Sequence, residues 1–196
     1  AQPNAGTDGT LTVCAGTAPT TAQLFAAITG EDAGGTWTNV GLVYTYTVAA
    51  TAPCTVADTA TVTVTEQAQP NAGTNGTLTI CVGATVSAGQ LFAQLGGSPA
   101  SGGTWTPALA GAGTYTYTVA ATAPCTVAAT ATVTVTEQAQ PNAGTNGTLT
   151  ICSGSTVTAA QLFARLGGSP TTGGTWTPTL AGAGTYTYTV AATAPC

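Results

Sequence analysis

The chain has 196 residues, one basic side chain (Arg165), six acidic ones and no histidine, for a net charge of −5. So little positive charge excludes nucleic-acid binding by phosphate neutralisation and attachment to anionic membranes through a basic patch. The acids Asp8, Glu31, Asp32, Asp58, Glu66 and Glu137 leave residues 139–196 without a carboxylate, and there is no lysine, so no general acid or base recurs along the chain.

The chain repeats. AQPNAGTDGTLTVC starts at Ala1, AQPNAGTNGTLTIC at Ala68 and again at Ala139, giving periods of 67 and 71 residues. The modules are therefore 1–67, 68–138 and 139–196, and the third lacks the TVAATATVTVTEQ that closes the second. The chain is expected to be a window on a longer array of a secreted precursor. No leader sequence is legible, and no apolar run approaches the about 20 residues of a membrane span.

In chain order, each module opens on AQPNAG, where Pro3, Pro70 and Pro141 favour an extended or turning backbone and mark a short joint. Asp8-Gly9, Asn75-Gly76 and Asn146-Gly147 carry the two-residue hairpin signal. A strand follows, Thr10–Cys14 in the first copy, with Leu11 and Val13 on one face. Thr20, Ser87 and Thr158, each followed three residues later by Gln23, Gln90 or Gln161, form capping boxes. Val86 and Val157 are placed to staple against Leu91 and Leu162. The apolar groups Leu24-Phe25-Ile28, Leu91-Phe92-Leu95 and Leu162-Phe163-Leu166 then predict a helix of about two turns, stopped by Gly30, Gly96-Gly97 or Gly167-Gly168.

GGTWT places Trp37, Trp105 and Trp176 on a short strand. With Phe25, Phe92 and Phe163 they are the expected aromatic core. The Tyr strand comes next, Val43–Val48 in the first copy, with threonine at every second position. Thr59–Thr65 and Thr130–Thr136 are the closing strands. Four or five strands and a short helix predict tandem small immunoglobulin-like β-sandwich modules.

A module of about 70 residues buries only about 60% of its unfolded surface and needs a staple. Two cysteines per module supply it and imply an oxidising compartment. Bonds within modules, Cys14–Cys54, Cys81–Cys125 and Cys152–Cys196, are expected. Each would close a loop of about 40 residues and contribute about 4 kcal/mol in the chain-entropy account. The pairs Cys54–Cys81 and Cys125–Cys152, both 27 apart, would instead join neighbouring modules. Zinc is disfavoured, because there is no CxxC and no histidine.

The order GTLT(V/I)C, LF, GGTWT, YTYTV, APC and TATVTVTE resembles the Ig-like repeats of giant Bacteroidetes surface adhesins, the type IX-secreted, SprB-like proteins of gliding motility. The likeness runs along essentially the whole chain. It implies an extracellular filament whose repeats hold a binding tip, outside this chain, away from the cell. It carries no catalytic residue. It also implies an O-glycan acceptor at Thr59, in Asp58-Thr59-Ala60, which the second module lacks (Ala129-Thr130-Ala131). Asn75 and Asn146 fit the N-glycan sequon, although the Asn-Gly turn reading accounts for them.

The chain is thus expected to be a non-enzymatic stalk or spacer at the cell surface, without a catalytic, cofactor-binding or metal site. Its partners would be further copies of the repeat and a surface or glycan ligand at the tip. Calcium-stiffened joints need several carboxylates each, and here each joint has one, Glu66 or Glu137. Two alternatives remain. T-x-T ladders such as Thr45-Tyr46-Thr47 and Thr61-Val62-Thr63 resemble ice-binding arrays, and an exposed tryptophan would serve a carbohydrate-binding repeat.

Overall fold

The computed structural model describes residues 2–196; Ala1, the first residue of the first module, lies outside them. The chain gathers into two compact units. One holds residues up to Thr74, Gly97–Thr104 and Tyr117–Ala131; the other holds Asn75–Gly96, Trp105–Thr116 and Thr132–Cys196. The fold is mostly β, with short helices and two disulfides.

The first module contains β1 (Gly9–Cys14), α1 (Thr21–Ala27), β2 (Thr36–Val40), β3 (Val43–Val48) and β4 (Asp58–Gln67). They form one sheet in the order β1-β4-β3-β2. β3 is antiparallel to both of its neighbours, and β1 runs parallel to β4. The period-two pattern of β4 explains its central place. Ala60, Val62 and Val64 are buried on one face, and the threonines between them point to the other. The apolar face packs with Val13, Tyr46, Val48, Leu24 and Ile28. Complete burial of a valine such as Val62 is worth roughly 1.5–3 kcal/mol.

The helices form where expected. Thr20 Oγ1 accepts from Gln23 N, and Gln23 Oε1 accepts from Thr20 N; Ser87–Gln90 and Thr158–Gln161 repeat this. Val86 and Leu91 are both buried, as a staple requires. α1 has seven residues; α2 (Ala88–Phe92) and α3 (Ala159–Phe163) have five.

The second module repeats the plan with β5 (Gly76–Cys81), β6 (Thr104–Thr106), β7 (Gly113–Val119) and β8 (Ala129–Gln138), in the order β5-β8-β7-β6. The third has only β9 (Thr175–Thr177) paired with β10 (Thr187–Thr189). Its segment Gly147–Cys152, the counterpart of β1 and β5, is not a strand.

Three sequence readings change. Asp8-Gly9 and Asn75-Gly76 make no hairpin, because the strand they open lies parallel to the closing strand. Instead Asp8 Oδ1 accepts from Thr61 N at 2.7 Å and Asn75 Oδ1 from Thr132 N at 2.8 Å. The glycine is there for space: a Cβ on Gly9 would sit 1.9 Å from Ala27 O, and on Gly76 2.1 Å from Gln94 O.

The PNAG segment, secondly, is a fastened part of the module that follows it. Asn71 Nδ2 donates to Gly97 O and Ser98 O, and its Oδ1 accepts from Gly73 N. Asn4 and Asn142 make the same clip.

The third change concerns the cysteines. Cys14 bonds Cys125, and Cys81 bonds Cys196, in place of Cys14–Cys54, Cys81–Cys125 and Cys152–Cys196. In the first module the sheet order holds the two cysteines apart. Cys14 lies opposite Gln67, and Val48, which leads to Cys54, lies opposite Asp58. Those positions on β4 are about 30 Å apart at ~3.3 Å per residue, whereas a disulfide needs Cα atoms within about 7 Å. Cys14 sits where the chain departs for the next module, so it meets that module's Ala-Pro-Cys turn.

Candidate functional site

Among the described residues no three His, Cys, Asp or Glu side chains group as metal ligands, and no helix is long and apolar enough to cross a membrane. Two features stand out that a function can use: the joints and the outer face of the sheet.

Each joint is a covalent and polar clasp. In the first, Cys14 and Cys125 are bonded with Cα atoms 4.8 Å apart. Around them Ala15 N donates to Gln67 O, and Gln69 Nε2 donates to Ala15 O. Gly16 N donates to a Glu66 carboxylate oxygen at 3.4 Å. A crevice of about 530 Å³ beside the bridge is lined by Val13, Gln69, Pro70, Pro124 and Val127. In the second joint, Cys81 and Cys196 are bonded with Cα atoms 5.3 Å apart, and Gln138 Nε2 donates to Thr193 O. Thus the first cysteine of one module bonds the second cysteine of the next, twice. Cys54 is half-buried beside Pro53, and Cys152 carries an exposed free thiol.

The outer face of the first sheet is almost entirely threonine. Thr36, Thr47 and Thr59 form one row across three strands, and Thr38, Thr45 and Thr61 the next. Thr10 and Thr12 extend the array beside Thr63 and Thr65, with Thr12 Oγ1 and Thr65 Oγ1 at 2.9 Å. The proposed O-glycan acceptor Thr59 is exposed on this face, while Asp58 accepts from Ala5 N at 2.8 Å.

The aromatic residues face inward but lie at the margin of the core. Trp37 is half-buried, its ring 5.5 Å from Phe25 and 5.1 Å from Tyr46. Trp176 packs 4.9 Å from Tyr188, and Phe163 5.4 Å from the same ring. Trp105 and Phe92 are also half-buried. The central aromatic is the second tyrosine of YTYTV, a role the composition did not single out. Tyr46, Tyr117 and Tyr188 are buried. Tyr46 Oη donates to Asp32 O and accepts from Gly35 N; Tyr117 does the same with Ala100 O and Gly103 N. The signal for this was the second glycine of GGTWT. A Cβ there would meet the tyrosine ring at 2.5 Å from Gly35 and 2.5 Å from Gly103.

The third module ends at Cys196, before any counterpart of β4 or β8. A groove of about 630 Å³ is lined by Leu149, Ile151, Val157, Leu162, Trp176 and Tyr188. Its walls match residues that are covered in the second module. Leu91 is 0% exposed and Ile80 6%, whereas Leu162 and Ile151 are only half-buried.

Comparison of the chain with protein-family models, with curated proteins and with solved structures returns no significant match.

Proposed function

We propose that this chain is a stalk: a run of Ig-like modules that spaces a binding element from a cell surface, without enzymatic activity. The observation that carries the reading is the bridge from each module to the next, made twice with the same partners. Two bonds persist only in an oxidising compartment, which supports a chain outside the reducing cytosol. The surface location and an adhesin parent belong to the proposal. Near-identical modules joined covalently suit a spacer, in which load passes from one unit to the next.

The Ig-like reading is supported by details of the sheet. β2, β3 and β4 lie side by side in the C-F-G arrangement, with tryptophan on the first. In the second module Tyr115, early in the middle strand, donates to Gly111 O at 2.8 Å and accepts from Ala110 N, the back-bonding of a tyrosine corner. Tyr186 repeats it with Gly182 O.

Electron microscopy of the native particle tests the stalk. Thin rods of constant width are expected, and a compact globule would overturn it.

The threonine face favours a second reading, an ice-binding repeat. Within a row its threonines are spaced at the ~4.8 Å of adjacent strands, but a sheet's twist limits how flat such a face is. Thermal hysteresis that is lost in a Thr45→Tyr/Thr61→Tyr variant would favour this reading over the stalk. The Trp37 and Trp176 rings pack against neighbouring aromatic rings, which leaves little of a flat platform for a sugar.

A further inference from the structure

We infer that the free edge of the first sheet, strand β2, is an interaction surface, and that its partner is the same strand of a second copy of the chain, paired antiparallel about a twofold axis. The inference goes beyond the stalk reading and does not need it. It rests on an edge left open in one module where the matching edges of the other two are blocked.

β2 is the last strand in the order β1-β4-β3-β2, so within the sheet only β3 bonds it. The two strands join through a two-residue turn, with Val40 opposite Val43. In such a hairpin the residues that flank the turn bond each other, and every second pair along the ladder does the same. Thr36, Thr38 and Val40 therefore direct their backbone groups to β3, and those of Trp37 and Asn39 point away from the sheet. No turn, loop or cap bond among the described residues takes them up.

The other modules close this edge. In the third, Trp176 lies opposite Tyr188 as Trp37 lies opposite Tyr46, which puts Pro178 in the place of Asn39. The second module has Pro107 there. Proline has no N–H to offer at the outward position, and β6 and β9 stop at the threonine before it. Proline and charge are common guards of a sheet edge. β2 has neither, because Thr-Trp-Thr-Asn-Val is uncharged and free of proline. It ends on an apolar tip, with Val40 87%, Leu42 46% and Val43 41% exposed.

The edge is complementary to itself. With Thr38 on the twofold axis, Trp37 of one copy and Asn39 of the other exchange N–H and C=O in both directions, so every outward group finds a partner. Val40 then lies against Thr36 of the second copy. Thr36 and Thr38 belong to the threonine face, which runs on from one sheet into the other. Charge favours the same occupant. Glu31 and Asp32 precede the strand, so antiparallel pairing sets the two acidic loops at opposite ends and no like charges meet along it. A charged partner would find nothing on this edge to pair with. A short strand pair is a small interface, so the association is weak and depends on concentration.

Sedimentation equilibrium of the 196-residue chain, with its free thiols alkylated, tests the pairing, and a monomer–dimer equilibrium is expected. Asn39→Pro copies the other two modules. It removes one outward donor from each copy and is expected to weaken dimerisation at least about tenfold. Thr38→Cys reports the register and spares the fold, because Thr38 is exposed. On the twofold axis the two substituted residues form a non-hydrogen-bonded pair with Cα atoms about 4.5 Å apart, within reach of a disulfide. Mild oxidation followed by peptide mapping is expected to find that disulfide between copies. Thr63→Cys, exposed on the same face but on the central strand β4, is expected to give none. A chain that stays monomeric to about 1 mM, a dimer equally tight in folded Asn39→Pro, or a dimer whose Thr38→Cys form does not cross-link at that position overturns the inference. So does equal cross-linking of Thr63→Cys. If Asn39→Pro does not fold, the two cysteine variants decide alone.

Discussion

Single residues show which constraints are steric and which are polar. Gly76 is held by the approach of Gln94 O, so Gly76→Ala forces the strand and helix apart. A loss of about 1–3 kcal/mol is expected, read as a lower denaturation midpoint. Gly89, inside α2, faces open space, and a methyl group there would meet nothing within 4 Å. Gly89→Ala is therefore expected to be neutral or to stabilise by about 0.5 kcal/mol through helix propensity. The two substitutions are chemically identical, so opposite signs isolate the close approach as the cause. At Tyr117 the hydroxyl joins Ala100 O to Gly103 N across the turn before the Trp strand. Tyr117→Phe leaves both groups without that partner and is expected to cost about 1–3 kcal/mol. Chemical denaturation of the variant beside the parent chain measures it, and no change would mean that water satisfies the turn.

At the scale of elements, the helix was legible from the capping boxes and their staples because those signals are local. The closing strand was legible from its alternation. The pairing of strands was not, and with it went the disulfides. Asp-Gly and Asn-Gly carry a hairpin signal, yet here the strand after them runs parallel to one much later in the chain, and the aspartate or asparagine caps that distant strand. Because β1 ends beside the end of β4, its cysteine faces the next module. Non-reducing peptide mapping is expected to recover Cys14 with Cys125 and Cys81 with Cys196. Replacing both Cys14 and Cys125 by serine opens a loop with a sequence separation of 111. Its expected cost is about 4–5 kcal/mol in the chain-entropy account, measured as a fall in the denaturant midpoint.

For the whole molecule the two bridges overlap in sequence, and this limits how far the chain can be drawn out. A path from the first residue reaches Cys14, crosses to Cys125, returns to Cys81 and crosses to Cys196. That path is about 57 residues, or roughly 200 Å at the ~3.5 Å per residue of an extended chain. Reduced, the chain spans roughly 680 Å on the same basis. Single-molecule pulling from the two ends is expected to show the short limit under oxidising conditions and the long one with reductant. A long limit under oxidising conditions would exclude the module-to-module bridges and remove the main support for the stalk.

Composition, period and contacts within a few residues were enough to establish the repeat, the β-rich character, the place and caps of the helix, the absence of basic surface and the need for a covalent staple. The folded chain decided which cysteines meet, that the Asx-Gly pairs serve a parallel strand, that PNAG is clipped into its module, and that the second tyrosine lies at the centre. Each of these depends on how strands far apart in sequence are ordered in a sheet. A period-two pattern tells which face of a strand is buried but not which neighbour it takes or in which direction that neighbour runs.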